Sequence, residues 1–136
     1  MQEFVQLATQ LHRELTSLEE LADVTIFLQE HLQQWGASED VQMDLRLCVV
    51  EAVQNALLHG GAEACAPVAR LAWQCDASGF TFTVEDNGLG IPLECQVAEY
   101  QETLKESGRG LLLMRAILDE VTFNETGNAV TGILRW

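Results

Sequence analysis

Residues 45–60 read LRLCVVEAVQNALLHG, and from Cys48 to Leu58 the polar residues are Glu51, Gln54 and Asn55. No Gly or Pro interrupts that core, so the stretch predicts a helix. A helix this apolar on most sides is buried on most sides. Glu51 and Asn55 are four residues apart and share a face, one turn above the other. His59 extends the same row. A carboxylate in apolar surroundings is costly unless something offsets it. Either the helix borders a polar cavity, or Glu51 is paired inside the core.

Upstream, Ser38 followed by Glu39 and Asp40 predicts the cap of this central helix, with acids at its positive end. The helix is expected to run on to Gly60-Gly61. Ser17-Leu18-Glu19-Glu20 is a capping box for an earlier helix. Its apolar residues Leu18, Leu21, Val24, Phe27, Leu28 and Leu32 fall at helical spacing, and Gly36 ends it. Residues 3–8, EFVQLA, suit either a first strand or a short helix.

Downstream, Val68, Arg70, Ala72 and Gln74 alternate with Ala69, Leu71, Trp73 and Cys75, a strand pattern. Asp76-Ala77-Ser78-Gly79 is a turn, and Phe80, Phe82 and Val84 alternate with Thr81, Thr83 and Glu85 in a returning strand. That strand runs into Asp86-Asn87-Gly88-Leu89-Gly90-Ile91-Pro92. Residues 93–107 are irregular and polar. Gly108-Arg109-Gly110 precedes an apolar helix through Leu118. Val121–Asn124 and Val130–Arg135 predict a last hairpin. Helices and strands do not alternate strictly, which favours an α+β fold: a two-layer sandwich with helices on one face of a mixed, mostly antiparallel sheet.

The 136 residues suit a single domain spanning 1–136. Net charge is −14, from 21 acids against 7 bases. Phosphate contacts need clustered Lys and Arg, so the balance argues against nucleic acid or an anionic membrane as partner. Cys48, Cys65, Cys75 and Cys95 show no metal-type spacing and read as reduced thiols, which suggests a cytoplasmic protein. No signal peptide and no run of transmembrane length is expected.

Three elements could carry chemistry. Asp86-Asn87-Gly88-Leu89-Gly90 follows a strand; its glycines permit close backbone approach to a ligand, and its acid could accept from an exocyclic amine. The ordinary alternative is a turn with an Asx contact. Gly108-Arg109-Gly110 sits where free amides and the helix dipole favour phosphate, with Arg109 available for a charge-assisted contact; otherwise it is a glycine-rich helix start. Glu51 and Asn55 suit a hard cation and a general base, or else a buried polar pair satisfying a helix contact. His59 fits a capping cation better than a catalyst.

In this order, the Glu-x-x-x-Asn helix ending in His-Gly, then Asp-x-Gly-x-Gly-Ile, then Gly-x-Gly-Leu resemble the N, G1 and G2 boxes of the GHKL ATP-binding superfamily. That group includes gyrase, heat-shock chaperones, histidine kinases and mismatch-repair ATPases. EAVQNALLHGG, VEDNGLGIP and ESGRGLLLMRAILDEVTF look most like the bacterial anti-sigma-factor serine kinases, with the likeness running from about Leu15 to the C-terminus.

The resemblance implies a GHKL (Bergerat) ATP sandwich that uses ATP and Mg²⁺. Asp86 would read the adenine amino group, with Gly88, Gly90 and Ile91 around the base. Asn55 would hold Mg²⁺, and Glu51 would be the catalytic base for a substrate serine. Residues 93–107 would be a lid. Gly108, Gly110 and Leu111 would bind phosphates through backbone amides, with Arg109 near the terminal one. Implied partners are a STAS-domain anti-anti-sigma protein, a sigma factor and a second copy of the chain in a homodimer. The alternative is an ATP-gated binding module with little or no kinase chemistry. A third possibility is a structural protein with degenerate boxes. One departure stands out: the family often has Gly-Thr in the last hairpin, with Thr near adenine. Here Asn128 follows Gly127 and Thr131 is out of register, so either Asn128 substitutes or the water network around adenine differs. No dimerisation helix bearing a phosphorylated His and no long C-terminal domain is evident, which disfavours a free-standing histidine kinase or topoisomerase.

Overall fold

A computed structural model describes residues 8–60, 68–87, 110–126 and 128–136, with backbone alone at 59, 60 and 110. The chain runs β1 (Thr9–Leu15), α1 (Leu18–Gln34), α2 (Glu39–Asn55), a π turn (Ala56–Gly60), β2 (Ala69–Asp76), β3 (Gly79–Asp86), α3 (Gly110–Ile117), β4 (Glu120–Phe123) and β5 (Ala129–Arg135). The five strands form one sheet in the order β1-β2-β3-β5-β4. All four pairings are antiparallel, so the described sheet contains no parallel ladder. The α+β two-layer expectation holds.

Both long helices begin where their serines predict. The Ser17 hydroxyl accepts the Glu20 N–H at 3.2 Å, and the Ser38 hydroxyl accepts the Val41 N–H at 3.2 Å. The Glu20 carboxylate reaches one residue further back than a standard capping box: it accepts from the Thr16 N–H at 3.3 Å and the Thr16 hydroxyl at 2.5 Å. These bonds hold its pKa below the usual carboxylate range. At the other end of α1, Gly36 takes φ 78°. Ala37 N–H then reaches the Leu32 carbonyl at 3.1 Å and Gly36 N–H the Gln33 carbonyl at 3.0 Å, a Schellman closure.

The sequence reading is corrected at two places. The first described strand is β1 at Thr9–Leu15, where no strand was expected; of the segment 3–8, residues 3–7 lie outside the described residues and Ala8 lies just before β1. Leu11 and Leu15 are buried, but Arg13 takes the intervening inward position at the sheet edge and stays exposed, which breaks the apolar alternation. In addition, α2 does not run to Gly60 as one α-helix, because the last turn is π. The wider turn advances each residue by a smaller angle, keeping Ala56 and Leu57 buried.

The core lies between the helices and one face of the sheet. Leu21, Val24, Leu28 and Leu32 of α1 and Leu45, Val49, Ala52 and Val53 of α2 cover Leu71, Trp73, Phe80, Phe82 and Val84. Cys48 and Cys75 are free thiols in this core, and burial pushes each pKa up to about 12, so both stay protonated. Cys65 and Cys95 lie outside the described residues. The opposite sheet face carries polar pairs. Arg70 bridges Glu14 at 3.2 Å and Glu85 at 3.0 Å across three strands, and Thr83 meets Thr131 at 3.0 Å. Among the described residues no helix is long and apolar enough to cross a membrane.

Candidate functional site

The end of α2 is where the site is built. Helix α2 packs on α3 and on β3, and the following π turn also packs on β3. The elements bearing Glu51 and Asn55, Asp86, and Gly110 and Leu111 therefore adjoin. Asn55 is buried, with 8% of its surface exposed, at the last α-helical position. Glu51, one turn earlier, is half-buried. Its Oε2 is fully enclosed and has no hydrogen-bond partner among the described residues. Burial raises its pKa above the ordinary 4.5. Of the two options left by the sequence, pairing inside the core is the one this geometry disfavours: one carboxylate oxygen is presented without an internal donor.

Asp86 ends β3, opposite Ala69 of β2. The strand end at Asp86-Asn87 is held from both sides. On one side, Asn87 Oδ1 accepts the Val68 N–H at 2.9 Å. On the other, the Asp86 N–H donates to the Asn128 carbonyl at 2.8 Å, while Asn128 Nδ2 donates to the Asp86 carbonyl at 3.3 Å. Asn128 Oδ1 in turn accepts from Asn124 Nδ2 at 2.7 Å and from the Thr126 hydroxyl at 2.5 Å. Asn128 is thus committed to holding the hairpin tip against the end of β3. Thr131 is committed on the far face of the sheet, against Thr83. Both side chains are thus engaged in holding the sheet and its hairpin tip.

Gly110 opens α3, and Leu111 is buried at 1% exposure in its first turn. The first amides of a helix have no intrahelical acceptor and are available to an anion. Gly88, Gly90, Ile91, Gly108 and Arg109 lie outside the described residues, as do the segment 93–107 and the His59 side chain. Among the described residues no group of three His, Cys, Asp or Glu side chains is placed to hold a metal. A cation here would draw on Asn55 and on the ligand's own oxygens, as Mg²⁺ commonly does.

The family described as histidine kinase-like ATPase domain matches residues 15–134. The chain belongs to this family. Membership implies ATP binding. The anti-sigma F factor of Bacillus velezensis (strain DSM 23117 / BGSC 10A6 / LMG 26770 / FZB42) is 27% identical over 138 residues, covering 93% of this chain and 90% of that protein. The histidine kinase domain of the blue-light activated histidine kinase of Erythrobacter litoralis EL346 superposes with a TM-score of 0.54 at 20% identity. That likeness covers 85% of this chain and 59% of the other, and it concerns the fold alone. For a histidine kinase-like ATPase, the supports that the sequence reading missed are Asn87 and Asn128. Asn128 stands out as a departure from the usual Gly-Thr, and an Asx contact is an option for the Asp86-Asn87 turn, but no local pattern names the hydrogen-bond partner of either residue.

Proposed function

We propose that this chain is a Mg·ATP-dependent protein-serine kinase and anti-sigma factor. It phosphorylates a serine of a STAS-domain anti-anti-sigma protein and binds a sigma factor, so that the two partners exchange according to phosphorylation. The observation that carries the kinase reading is Glu51: a half-buried carboxylate whose enclosed Oε2 has no hydrogen-bond partner among the described residues, one turn from buried Asn55. An unpaired buried carboxylate oxygen is a cost to folding. It is understandable where the oxygen is kept for an incoming proton donor.

The residues fit a magnesium nucleotide. The Asn55 amide oxygen is a hard donor at the helix end, Asp86 is a clamped acceptor at a strand end, and the α3 amides complete an anion cradle. When bound, Mg·ATP supplies the γ-phosphoryl group. Asn55 holds the cation, and Asp86 accepts from the adenine amine, with Gly88, Gly90 and Ile91 around the base. Gly108, Gly110 and Leu111 donate backbone N–H groups to the phosphates, and Arg109 adds charge at the terminal one. Glu51 takes the proton of the substrate serine hydroxyl, a contribution of roughly 10²–10⁴-fold. The polar sheet face around Thr83 and Thr131, opposite the helices, leaves room for a second copy of the chain. The relative named anti-sigma F factor supports the partner assignment.

Transfer of labelled γ-phosphate to a co-encoded STAS protein tests the proposal. Wild type is expected to transfer, and Glu51→Ala to bind Mg·ATP without transferring. Undetectable transfer to every such protein removes the kinase reading. The departure at Asn128 favours a second reading, in which the nucleotide gates partner binding with little chemistry. Partner affinity that is equal with and without ATP excludes it.

A further inference from the structure

We propose that the groove between α1 and α2 receives a basic amphipathic helix of a partner protein. The groove encloses about 260 Å³, with Leu28 and Thr25 at its base and Gln29, Met43 and Arg46 on its walls. Met43, 65% exposed, stands on its wall, and two further apolar side chains are exposed on the same helices next to lining residues: Ile26 at 59%, three residues before Gln29, and Leu47 at 44%, four after Met43. Ile26 shares a ridge of α1 with Gln29, and Met43 stands one turn before Leu47 on α2, so these side chains flank one seam. An apolar pair one turn apart on α2, with a third apolar side chain across on α1, suits the face of a docked helix.

The charge around the seam selects the partner. Glu19, Asp23 and Glu30 follow the outer side of α1, and Glu39 and Asp40 open α2, in a chain of net charge −14. A partner helix with Leu or Ile toward the groove and Lys or Arg beside them meets both features. Arg46 makes no ion pair among the described residues. A single acid in an otherwise basic partner helix would pair with it and set the register. Arg46 lies roughly 140° around α2 from Glu51 at 3.6 residues per turn, while Leu47, at the rim, stands one turn before Glu51; the groove itself is lined by neither Glu51 nor Asn55.

The test uses the full chain and a fluorescein-labelled designed peptide of about five helical turns. The peptide carries Leu at i, i+4 and i+7, flanking Lys and one Glu opposite Arg46; a scrambled peptide of the same composition is the control. Anisotropy titration is expected to show the scrambled peptide, Ile26→Glu and Met43→Glu each weakening binding about tenfold or more. Thermal unfolding and Mg·ATP binding of the variants stay unchanged, because these side chains are exposed. Arg46→Glu weakens binding, and a peptide with Lys in place of its Glu restores it. Equal binding of the scrambled peptide, retained binding by Met43→Glu, or no charge-swap rescue overturns the proposal. A dimer in sedimentation that Met43→Glu dissociates also overturns it, since the occupant is then a second copy.

Discussion

Trp73 of β2 donates its indole N–H to Nδ1 of His31 on α1 at 3.0 Å, and the rings meet edge-on with centroids 5.7 Å apart. An accepting Nδ1 places the imidazole proton on Nε2 and requires a neutral ring. Burial pushes the His31 pKa below the ordinary 6.5, with the Glu30 charge opposing. As pH falls, the unfolded chain therefore takes this proton first. The contribution of His31 is intact above about pH 6.5 and is lost as pH falls toward the lowered folded value. In urea unfolding at pH 7.5 and 5.5, wild type is expected to lose more stability than His31→Gln. Equal losses would show that the contact does not couple to protonation.

Glu51 has the opposite sign. Its pKa is raised in the fold, so its contribution is greatest below the ordinary carboxylate pKa and is lost as pH rises through the folded value. Ionising this side chain in the fold costs stability. Glu51→Gln is expected to stabilise the protein by about 0.5–2 kcal/mol while lowering phosphotransfer roughly 10²–10⁴-fold. Urea denaturation and a transfer assay, run on the same preparation, check both. The wild-type transfer rate should rise with pH through the Glu51 titration, and the variant should lose that limb.

The two long helices were legible because Ser17 and Ser38 mark their starts and the apolar spacing marks their inner faces. The hairpin of β2 and β3 was legible because both strands alternate cleanly. β1 was not, since an edge strand tolerates the exposed Arg13 in an inward position. The π turn was not, since α and π hydrogen bonding draw on the same residue types. In the site, the four-residue spacing put Glu51 and Asn55 on one face without reference to tertiary structure. The role of Asn128 depends on where the β4–β5 tip lands relative to β3, a long-range fact that no local pattern records.

Gly132 of β5 lies against Phe82 of β3 and Leu118, the residue after α3. A Cβ there would sit 2.6 Å from Leu118 Cδ1 and 2.6 Å from Phe82 Cε1. Phe82 is fully buried and Leu118 directly follows α3, so the Phe82 ring and the Leu118 side chain must both shift at the end of the helix whose first turn carries Gly110 and Leu111. Gly132→Ala is expected to cost about 1–3 kcal/mol from overpacking. It should also weaken Mg·ATP binding, read by calorimetry at a temperature where the variant remains folded. Loss of stability with unchanged affinity would mean that α3 does not position the phosphate site.

Asn128 separates a structural hairpin asparagine from a base-reading one. Its side-chain amide donates to the Asp86 carbonyl, and its oxygen collects the Asn124 amide and the Thr126 hydroxyl. Asn128→Ala removes all three bonds but leaves the backbone bond from Asp86 N–H to the residue 128 carbonyl. The expected cost is about 1–3 kcal/mol. ATP affinity should fall because Asp86 is held less firmly. Preference for ATP over GTP should remain, because in the proposed site the Asp86 carboxylate, and not the hairpin, would read the base. Asp86→Asn should do the reverse, losing that preference with a small change in stability. If Asn128→Ala instead left the unfolding midpoint unmoved and eroded the preference for ATP, Asn128 would contact the base, and the commitment of its side chain to the hairpin would not persist in the nucleotide complex.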